Sequence, residues 1–136
     1  MATSSAVYLG ELRVQSVHER SGVHIISDAP LDNRGKGESF SPTDLTCTSL
    51  ASCMLTIMGI WAMDEGIALA GTSAKIQKHM LEEPRRIGAI YIEMTLPQGL
   101  ELNDKQMTVM RRKAEACPVA KSIHPDIKVN LTIRKA

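Results

Sequence analysis

Hydrophobic and polar residues alternate loosely near the start of the chain, over residues 6–18, and this pattern predicts a β-strand. The dipeptide Ser21-Gly22 is typical of a turn, so residues 23–27 are predicted to form the hairpin partner of that strand. Residues 28–41 contain proline, glycine and an Asp-Asn pair, which indicate a loop or a short irregular strand. This part of the chain therefore predicts a small sheet followed by a loop.

A long apolar segment then predicts a helix that begins at Pro42 and ends at Glu65. Ser41 is a good N-cap, proline is tolerated in the first helical turn, and Asp44 lies where the helix dipole is positive. Gly66 is the residue type that most often follows the end of a helix. At the standard rise per residue the helix would be about 36 Å long, enough to cross the whole domain.

The second half of the chain has clearer periodicity. Residues 72–82 and 87–96 predict a second hairpin around Pro84, and residues 127–133 predict a strand with one buried face. Between them, Asn103 is the predicted cap of a second helix. The apolar side chains of that helix recur every three or four residues, at Met107, Met110, Ala114 and Cys117.

These elements predict one α+β domain over residues 1–136, in which antiparallel sheets surround the long apolar helix. One protomer of this size would not bury every side of that helix, whereas two copies could pack their long helices together. We therefore expect a homodimer.

Composition narrows the class of protein. The 136 residues are 43% hydrophobic and 23% charged, with a net charge of +1, which indicates a globular chain. The 3% aromatic content argues against a nucleic-acid partner, and the run Arg111-Arg112-Lys113 is interpreted as a solvated helix face. Three cysteines without framework spacing, and a start that lacks the features of a signal peptide, predict a cytoplasmic location.

The uncharged segment 45–63 has the nominal length of a bilayer span. Its first half carries several threonines and serines, and its flanks are acidic rather than basic. Because no lysine or arginine anchors either end, we interpret the segment as the centre of a soluble domain or dimer, and expect no membrane association.

Two cysteines, 64 positions apart, are candidates for chemistry. Cys117 precedes Pro118, and a helical turn starting there would present N–H groups that favour a thiolate and lower the thiol pKa; Lys121 could add positive charge. Cys53 lies within the apolar helix and would need a charged partner from another segment. Either thiol could instead be a buried core side chain, which is how Cys47 is interpreted.

Other kinds of site have weaker support. A zinc site of three cysteines and one histidine lacks CxxC or HxxxH spacing, so no metal is expected. A Ser-His-Asp hydrolase would need a nucleophile-elbow motif, and the chain has none. Cys-His catalysis remains open, because His124 follows Cys117 by only seven positions.

Two motifs resemble those of the OsmC/Ohr family, the osmotically inducible and organic hydroperoxide resistance proteins. Ser-Pro-Thr-Asp-Leu at 41–45, followed by Ser-Leu-Ala-Ser-Cys at 49–53, resembles the central-helix signature of that family. Cys-Pro-Val-Ala-Lys-Ser at 117–122 resembles its second motif, and the spacing between the two cysteines also matches. Gly-Lys-Gly-Glu at 35–38 is similar to the OsmC-like branch of the family.

The resemblance implies a cysteine-based peroxidase that reduces organic hydroperoxides in oxidative-stress defence. Cys53 would attack the O–O bond and become a sulfenic acid, and Cys117 would resolve it as a disulfide. A dithiol such as a lipoyl group would reduce that disulfide, and no metal or organic cofactor would be needed. The resemblance also implies an intertwined homodimer with two sites at the interface.

In this family an arginine–carboxylate pair stabilises the attacking thiolate, and here the pair is only partly matched. The carboxylate position directly after Pro42 is occupied by Thr43, and the acid comes one residue later as Asp44. The candidate arginines, in order of preference, are Arg34, Arg20 and Arg86.

The displaced carboxylate leaves a second function open. The chain could be a non-catalytic dimer of the same fold that binds a small apolar ligand, with thiols that are vestigial. Oxidation of the two cysteines by a hydroperoxide would distinguish the enzyme from the binding protein.

Overall fold

The computed structural model describes all 136 residues and has the predicted α+β composition. The chain folds as two compact units, Met1–Thr46 and Cys47–Ala136, and the long helix α1 runs from the first into the second. The prediction of a single domain over residues 1–136 stays a prediction. In chain order the elements are β1 (Ser4–Gly10), β2 (Arg13–His18), β3 (His24–Asp28), α1 (Pro42–Glu65), β4 (Ser73–Leu81), β5 (Arg86–Thr95), α2 (Asp104–Glu115) and β6 (Lys128–Arg134).

The first unit contains an antiparallel sheet in the order β1-β2-β3. The prediction of one strand over residues 6–18 was wrong, because the chain reverses within that segment at Glu11-Leu12. Both residues have left-handed backbone, with φ of 54° and 63°, as a two-residue hairpin turn requires. Glutamate and leucine are not typical of this turn, so the sequence carried little signal for it. Residues 23–27 were correctly predicted to pair with the preceding strand.

Helix α1 begins and ends where the sequence predicts. The Ser41 N–H donates to Asp44 Oδ2 at 2.9 Å, and the Asp44 N–H donates to Ser41 Oγ at 3.0 Å. This reciprocal pair is a capping box with an aspartate in place of the usual glutamate. After Glu65, Gly66 takes a left-handed φ of 68°, which a residue without a Cβ adopts at little cost.

The second unit contains a mixed sheet in the order β4-β5-β6. Strands β4 and β5 form the predicted antiparallel hairpin, but β6 runs parallel to β5, with Ile90 opposite Val129 and Ile92 opposite Leu131. The expectation of purely antiparallel sheets was therefore wrong here. Helix α2 lies between β5 and β6, and a helical crossover returns the chain to the end of the sheet from which β5 started.

The core of the second unit lies between α1, α2 and the mixed sheet. Leu50, Met54 and Met58 of α1 are at most 1% exposed, and so are the inward-facing β5 side chains Ile90 and Ile92. By length and composition alone α1 could span a membrane, but a core helix of a soluble protein satisfies the same test.

A second side of α1 remains uncovered within one protomer. Ile60 is 53% exposed and Met63 is 81% exposed, although both belong to the apolar run that predicted the helix. Partly exposed apolar side chains of this size on a central helix agree with the expectation that one protomer does not bury the whole helix.

Candidate functional site: two cysteine thiols in contact

The two candidate thiols meet in the second unit. Cys53 lies in the middle of α1, and Cys117 follows the last residue of α2, Glu115, by two positions. Both cysteines are free, Cys53 packs against the hydrophobic core that contains Cys117, and the Cys53 thiol lies near enough to the Cys117 thiol to raise its pKa. Residues that are 64 positions apart in the chain are therefore neighbours in one core.

The two sulfurs differ in accessibility. Cys117 is 0% exposed and belongs to the core, whereas Cys53 is partly exposed and packs against that core. Cys47 is also buried, at 1% exposure, in agreement with its interpretation as core packing. A reagent from solvent can therefore approach the pair only from the side of Cys53.

Cys117 is followed by the predicted helical turn, which does not continue into a longer helix. Ala116 is the C-cap of α2, and its N–H donates to the carbonyl oxygens of Arg112 and Lys113. The Lys121 N–H donates to the Cys117 carbonyl oxygen at 3.1 Å, and the Ala120 N–H donates to Cys117 Sγ at 3.5 Å. Pro118 thus opens a compact turn that folds back over the sulfur.

The pKa of the Cys117 thiol is raised above its ordinary value, so the predicted lowering was wrong. Burial is the largest cause, because it removes water from the thiolate; the neighbouring Cys53 thiol raises the pKa further. The N–H groups of Ala120 and Val119 act in the opposite direction, and their effect on the pKa is smaller than that of burial. Lys121 is exposed and does not contribute the charge that its position suggested.

The predicted carboxylate, Asp44, lies in the first turn of α1 and takes part in the capping box with Ser41. Thr43, the residue directly after Pro42, has its Oγ1 3.2 Å from Ser41 Oγ. The helix start therefore engages both residues, and a role for Asp44 in activating Cys53 stays a prediction.

The three candidate arginines have different surroundings. Arg34 is exposed and has a left-handed φ of 68° at the end of a short 3₁₀ turn. Arg20 is exposed in the turn after β2. Arg86 donates from Nη1 to the carbonyl oxygens of Glu82 and Pro84, at 2.9 and 2.8 Å, and so stabilises the turn between β4 and β5. Arg86 thus has a structural duty, while the side chains of the other two face solvent.

The histidine that left Cys-His catalysis open, His124, also faces solvent. Its side chain is 67% exposed, and its Nδ1 accepts a hydrogen bond from the Asp126 N–H at 3.0 Å. This imidazole nitrogen is occupied within its own turn, so the contact offers no support for a role as a general base.

An ion pair that the sequence analysis missed anchors the segment that carries Arg34. Arg13 donates from Nε and Nη2 to both carboxylate oxygens of the buried Asp28, at 3.1 and 3.0 Å, and its Nη2 also contacts Glu38. Arg13 lowers the pKa of Asp28, and the Glu38 N–H, at 3.1 Å from Asp28 Oδ2, acts in the same direction. Arg13 and Asp28 face each other across β2 and β3, which only the strand register reveals.

The interpretation of Arg111 as part of a solvated helix face was incomplete. Its Nη1 donates to the Leu131 carbonyl oxygen at 2.7 Å, so this side chain holds α2 against β6 in addition to facing solvent. Arg111 lines a cleft of about 360 Å³ together with Met54 and Ala120. Met54 follows Cys53 in α1 and Ala120 donates to Cys117, so the cleft shares residues with the surroundings of the thiols.

Comparisons with known proteins identify one family. The family model for OsmC-like proteins matches residues 35–132, which include both cysteines. A crystal structure from Psychrobacter arcticus 273-4, provisionally assigned to osmotic stress induction and the detoxification response, is 53% identical; the match covers 98% of this chain and 96% of that one, with a TM-score of 0.94.

More distant structures share the fold. An organic hydroperoxide resistance protein OsmC from Legionella pneumophila is 18% identical with a TM-score of 0.76, and the match covers 98% of both chains. The organic hydroperoxide resistance protein OhrB of Bacillus subtilis is 16% identical with a TM-score of 0.70, and the match covers 98% of this chain and 97% of that one. A comparison with curated protein sequences finds no significant match.

Proposed function

Because the chain belongs to the OsmC-like family, we propose that it is a thiol peroxidase that reduces organic hydroperoxides. The observation that carries the proposal is the proximity of the partly exposed Cys53 thiol to the buried Cys117 thiol within one core. Peroxide reduction by a cysteine pair needs one sulfur that the substrate can reach and a second close enough to close a disulfide.

The difference in accessibility between the two sulfurs supports the roles proposed for them. The Cys53 thiolate attacks one oxygen of the hydroperoxide, the O–O bond breaks, and the alkoxide leaves as the alcohol after it gains a proton. Cys53 becomes a sulfenic acid, and the Cys117 sulfur then attacks it and releases water. One hydroperoxide and two thiols thus yield one alcohol, one water and one disulfide, which a dithiol such as a lipoyl group reduces.

The thiolate of Cys53 needs positive charge beside it, since a partly buried thiol is a poor nucleophile when protonated. We propose Arg34 for this charge and Arg20 as the second choice, because both guanidinium groups face solvent, whereas Arg86 is held in its turn. Asp44 is the proposed carboxylate that would orient the arginine.

We propose that the protein acts as a homodimer in the cytoplasm. The exposed apolar side chains Ile60 and Met63 of α1 support the dimer, because a second copy could bury them. Exposed apolar residues also lie on β1, including Val7 at 61% and Leu9 at 52% exposure, and add to the surface available for association.

Cysteine variants test the peroxidase directly. Turnover of cumene hydroperoxide with dithiothreitol should fall to the background rate in Cys53→Ser, because no other thiol that solvent reaches would remain. Cys117→Ser should retain the first attack and accumulate a sulfenic acid on Cys53, which dimedone traps. Cys47→Ala is the matched control and should turn over like the wild type, since Cys47 lies in the core. Equal turnover by Cys53→Ser and wild type would contradict the proposal.

A second candidate function, binding of a small apolar ligand, follows from the structural hydrogen bonds that two of the charged candidate residues make. Asp44 caps α1 and Arg86 holds a turn, so a member of this fold with unactivated thiols could instead be a dimer that binds a small apolar ligand. Mass spectrometry after sub-stoichiometric hydroperoxide separates the two. Rapid loss of two hydrogens, located at Cys53 and Cys117, is expected of the enzyme, whereas unmodified thiols would indicate the binding protein.

A further inference from the structure

We infer that the Cys53–Cys117 disulfide is opened in one direction only, with the reductant attacking Cys53 and the Cys117 sulfur leaving onto the main-chain N–H groups of the turn that follows it. The inference concerns the return half of the proposed peroxidase cycle, and its chemistry can be tested whether or not hydroperoxides are substrates.

The first step, attack by the reductant, depends on which of the two sulfurs solvent can reach. Attack on a disulfide requires the incoming thiolate to approach one sulfur along the S–S axis, from the side opposite the other sulfur. Cys117 is 0% exposed and lies among core side chains, so no reductant can reach that position on Cys117. Cys53 is partly exposed, which leaves its sulfur as the one that a thiol from solvent can attack.

The second step, departure of the Cys117 sulfur, depends on the turn that follows Cys117. The Ala120 N–H donates to Cys117 Sγ at 3.5 Å, and the Val119 N–H also favours the charged form of this sulfur. Negative charge develops on the leaving sulfur as the S–S bond breaks, and preorganised N–H donors stabilise such charge. These donors offset part of the cost of forming a thiolate at a buried position.

Reduction of the disulfide by a dithiol takes place in two thiol–disulfide exchanges. One thiolate of a dithiol bonds to Cys53 Sγ, the Cys53–Cys117 bond breaks, and its electron pair stays on Cys117 Sγ, which takes a proton from solvent. The second thiol of the reductant loses its proton and attacks the reductant's own sulfur, which expels Cys53 as a thiolate and closes a cyclic disulfide. Two electrons thus pass from the dithiol to the protein pair, Cys117 gains one proton from solvent, and Cys53 is left as a thiolate.

The experiment starts from protein oxidised with diamide, so that the disulfide does not depend on peroxidase activity. The oxidised protein is mixed with the monothiol 2-mercaptoethanol, quenched in acid at short times and alkylated with N-ethylmaleimide after unfolding. Peptide mass spectrometry should find the mixed disulfide on Cys53 at least about tenfold more often than on Cys117, and the maleimide on Cys117. Equal labelling, an excess on Cys117, or failure of diamide to join the two cysteines would overturn the inference.

A matched pair of variants tests the leaving-group step. Ala120→Pro removes the N–H that contacts Cys117 Sγ, and Ala120→Gly retains it. Reduction of the diamide-made disulfide by dithiothreitol should be about threefold to tenfold slower in Ala120→Pro than in Ala120→Gly, as expected for the loss of one hydrogen bond. Equal rates in two folded variants, verified by circular dichroism, would refute a role for this N–H. The labelling experiment on the wild type tests the direction of attack even if the proline variant does not fold.

Discussion

The carboxylate of Asp44 has two candidate roles, capping of α1 and support of the Cys53 thiolate. Variants at Ser41 and Asp44 separate these roles. Asp44 Oδ2 accepts a hydrogen bond from the Ser41 N–H at 2.9 Å, and the Asp44 N–H donates to Ser41 Oγ at 3.0 Å. The proposed function adds a second duty, in which the same carboxylate orients an arginine toward Cys53. Ser41→Ala removes the capping bond to Ser41 Oγ and leaves the carboxylate in place, whereas Asp44→Ala removes the other capping bond together with the carboxylate.

The loss of stability follows from the capping contacts. Losing an N-cap hydrogen bond costs about 0.5–2 kcal/mol, and an acidic side chain in the first turn contributes about 0.3–1 kcal/mol through the helix dipole. We expect each variant to lower the free energy of unfolding by about 1–2 kcal/mol, which corresponds to a Tm lower by about 3–8 °C. The double variant should lose about 0.5–1 kcal/mol less than the sum, because the two side chains act as one unit.

Urea unfolding measures the stability term, and steady-state kinetics with cumene hydroperoxide measures the catalytic one. At a temperature where all variants are folded, Ser41→Ala should keep the wild-type kcat/KM, while Asp44→Ala should lose about a hundredfold if its carboxylate supports the thiolate. Equal kcat/KM in the two variants would refute the catalytic duty of Asp44. Additive losses of stability in the double variant would refute the energetic coupling of the two capping bonds.

Two further predictions concern the first unit and α1. The pKa of Asp28 lies below its ordinary value of 3.8 because Arg13 donates to it, so the pair stabilises the folded state above that pH. This stabilisation should be lost as the pH falls below 3.8 toward the folded pKa of Asp28. In a plot of the urea unfolding midpoint against pH, Arg13→Met should therefore show a smaller decrease at acidic pH than the wild type. An equal decrease in both proteins would contradict the assignment. Gly35→Ala should destabilise by about 1–3 kcal/mol or more, because its Cβ would lie 1.7 Å from the Ala29 carbonyl oxygen. Gly59→Ala in α1 is the control and should stabilise by about 0.5–1 kcal/mol, since nothing lies within 4 Å of the new Cβ; a loss of Tm at Gly59 would count against this view of the packing.

The elements that sequence predicted best are those with strong local signals. Helix α1 combines a capping residue, a first-turn proline and a terminal glycine around an apolar run, and each of these acts within a few residues. Strand β5 was predicted from its alternation, and its inward-facing side chains are buried as expected. Local signals of this kind do not depend on what the rest of the chain does.

The errors share a different cause. The Glu11-Leu12 turn lacks the residues that usually mark a hairpin, and it forms because Tyr8 and Val14 are paired across the sheet. The parallel direction of β6 depends on the crossover through α2. The bond from Arg111 to the Leu131 carbonyl joins residues 20 positions apart, which a basic run in the sequence could not reveal.

The chain by itself determined the α+β class, the long central helix and the two cysteine motifs, because periodicity, caps and motif spacing are all carried by neighbouring residues. Only the tertiary structure decided whether the two thiols lie near each other and how deeply each is buried. It brought Cys117 against Cys53, and it buried Cys117 so deeply that the thiol pKa rises where the local motif predicted a fall. The physical reason is that desolvation depends on every atom packed around a sulfur, most of which come from distant parts of the chain.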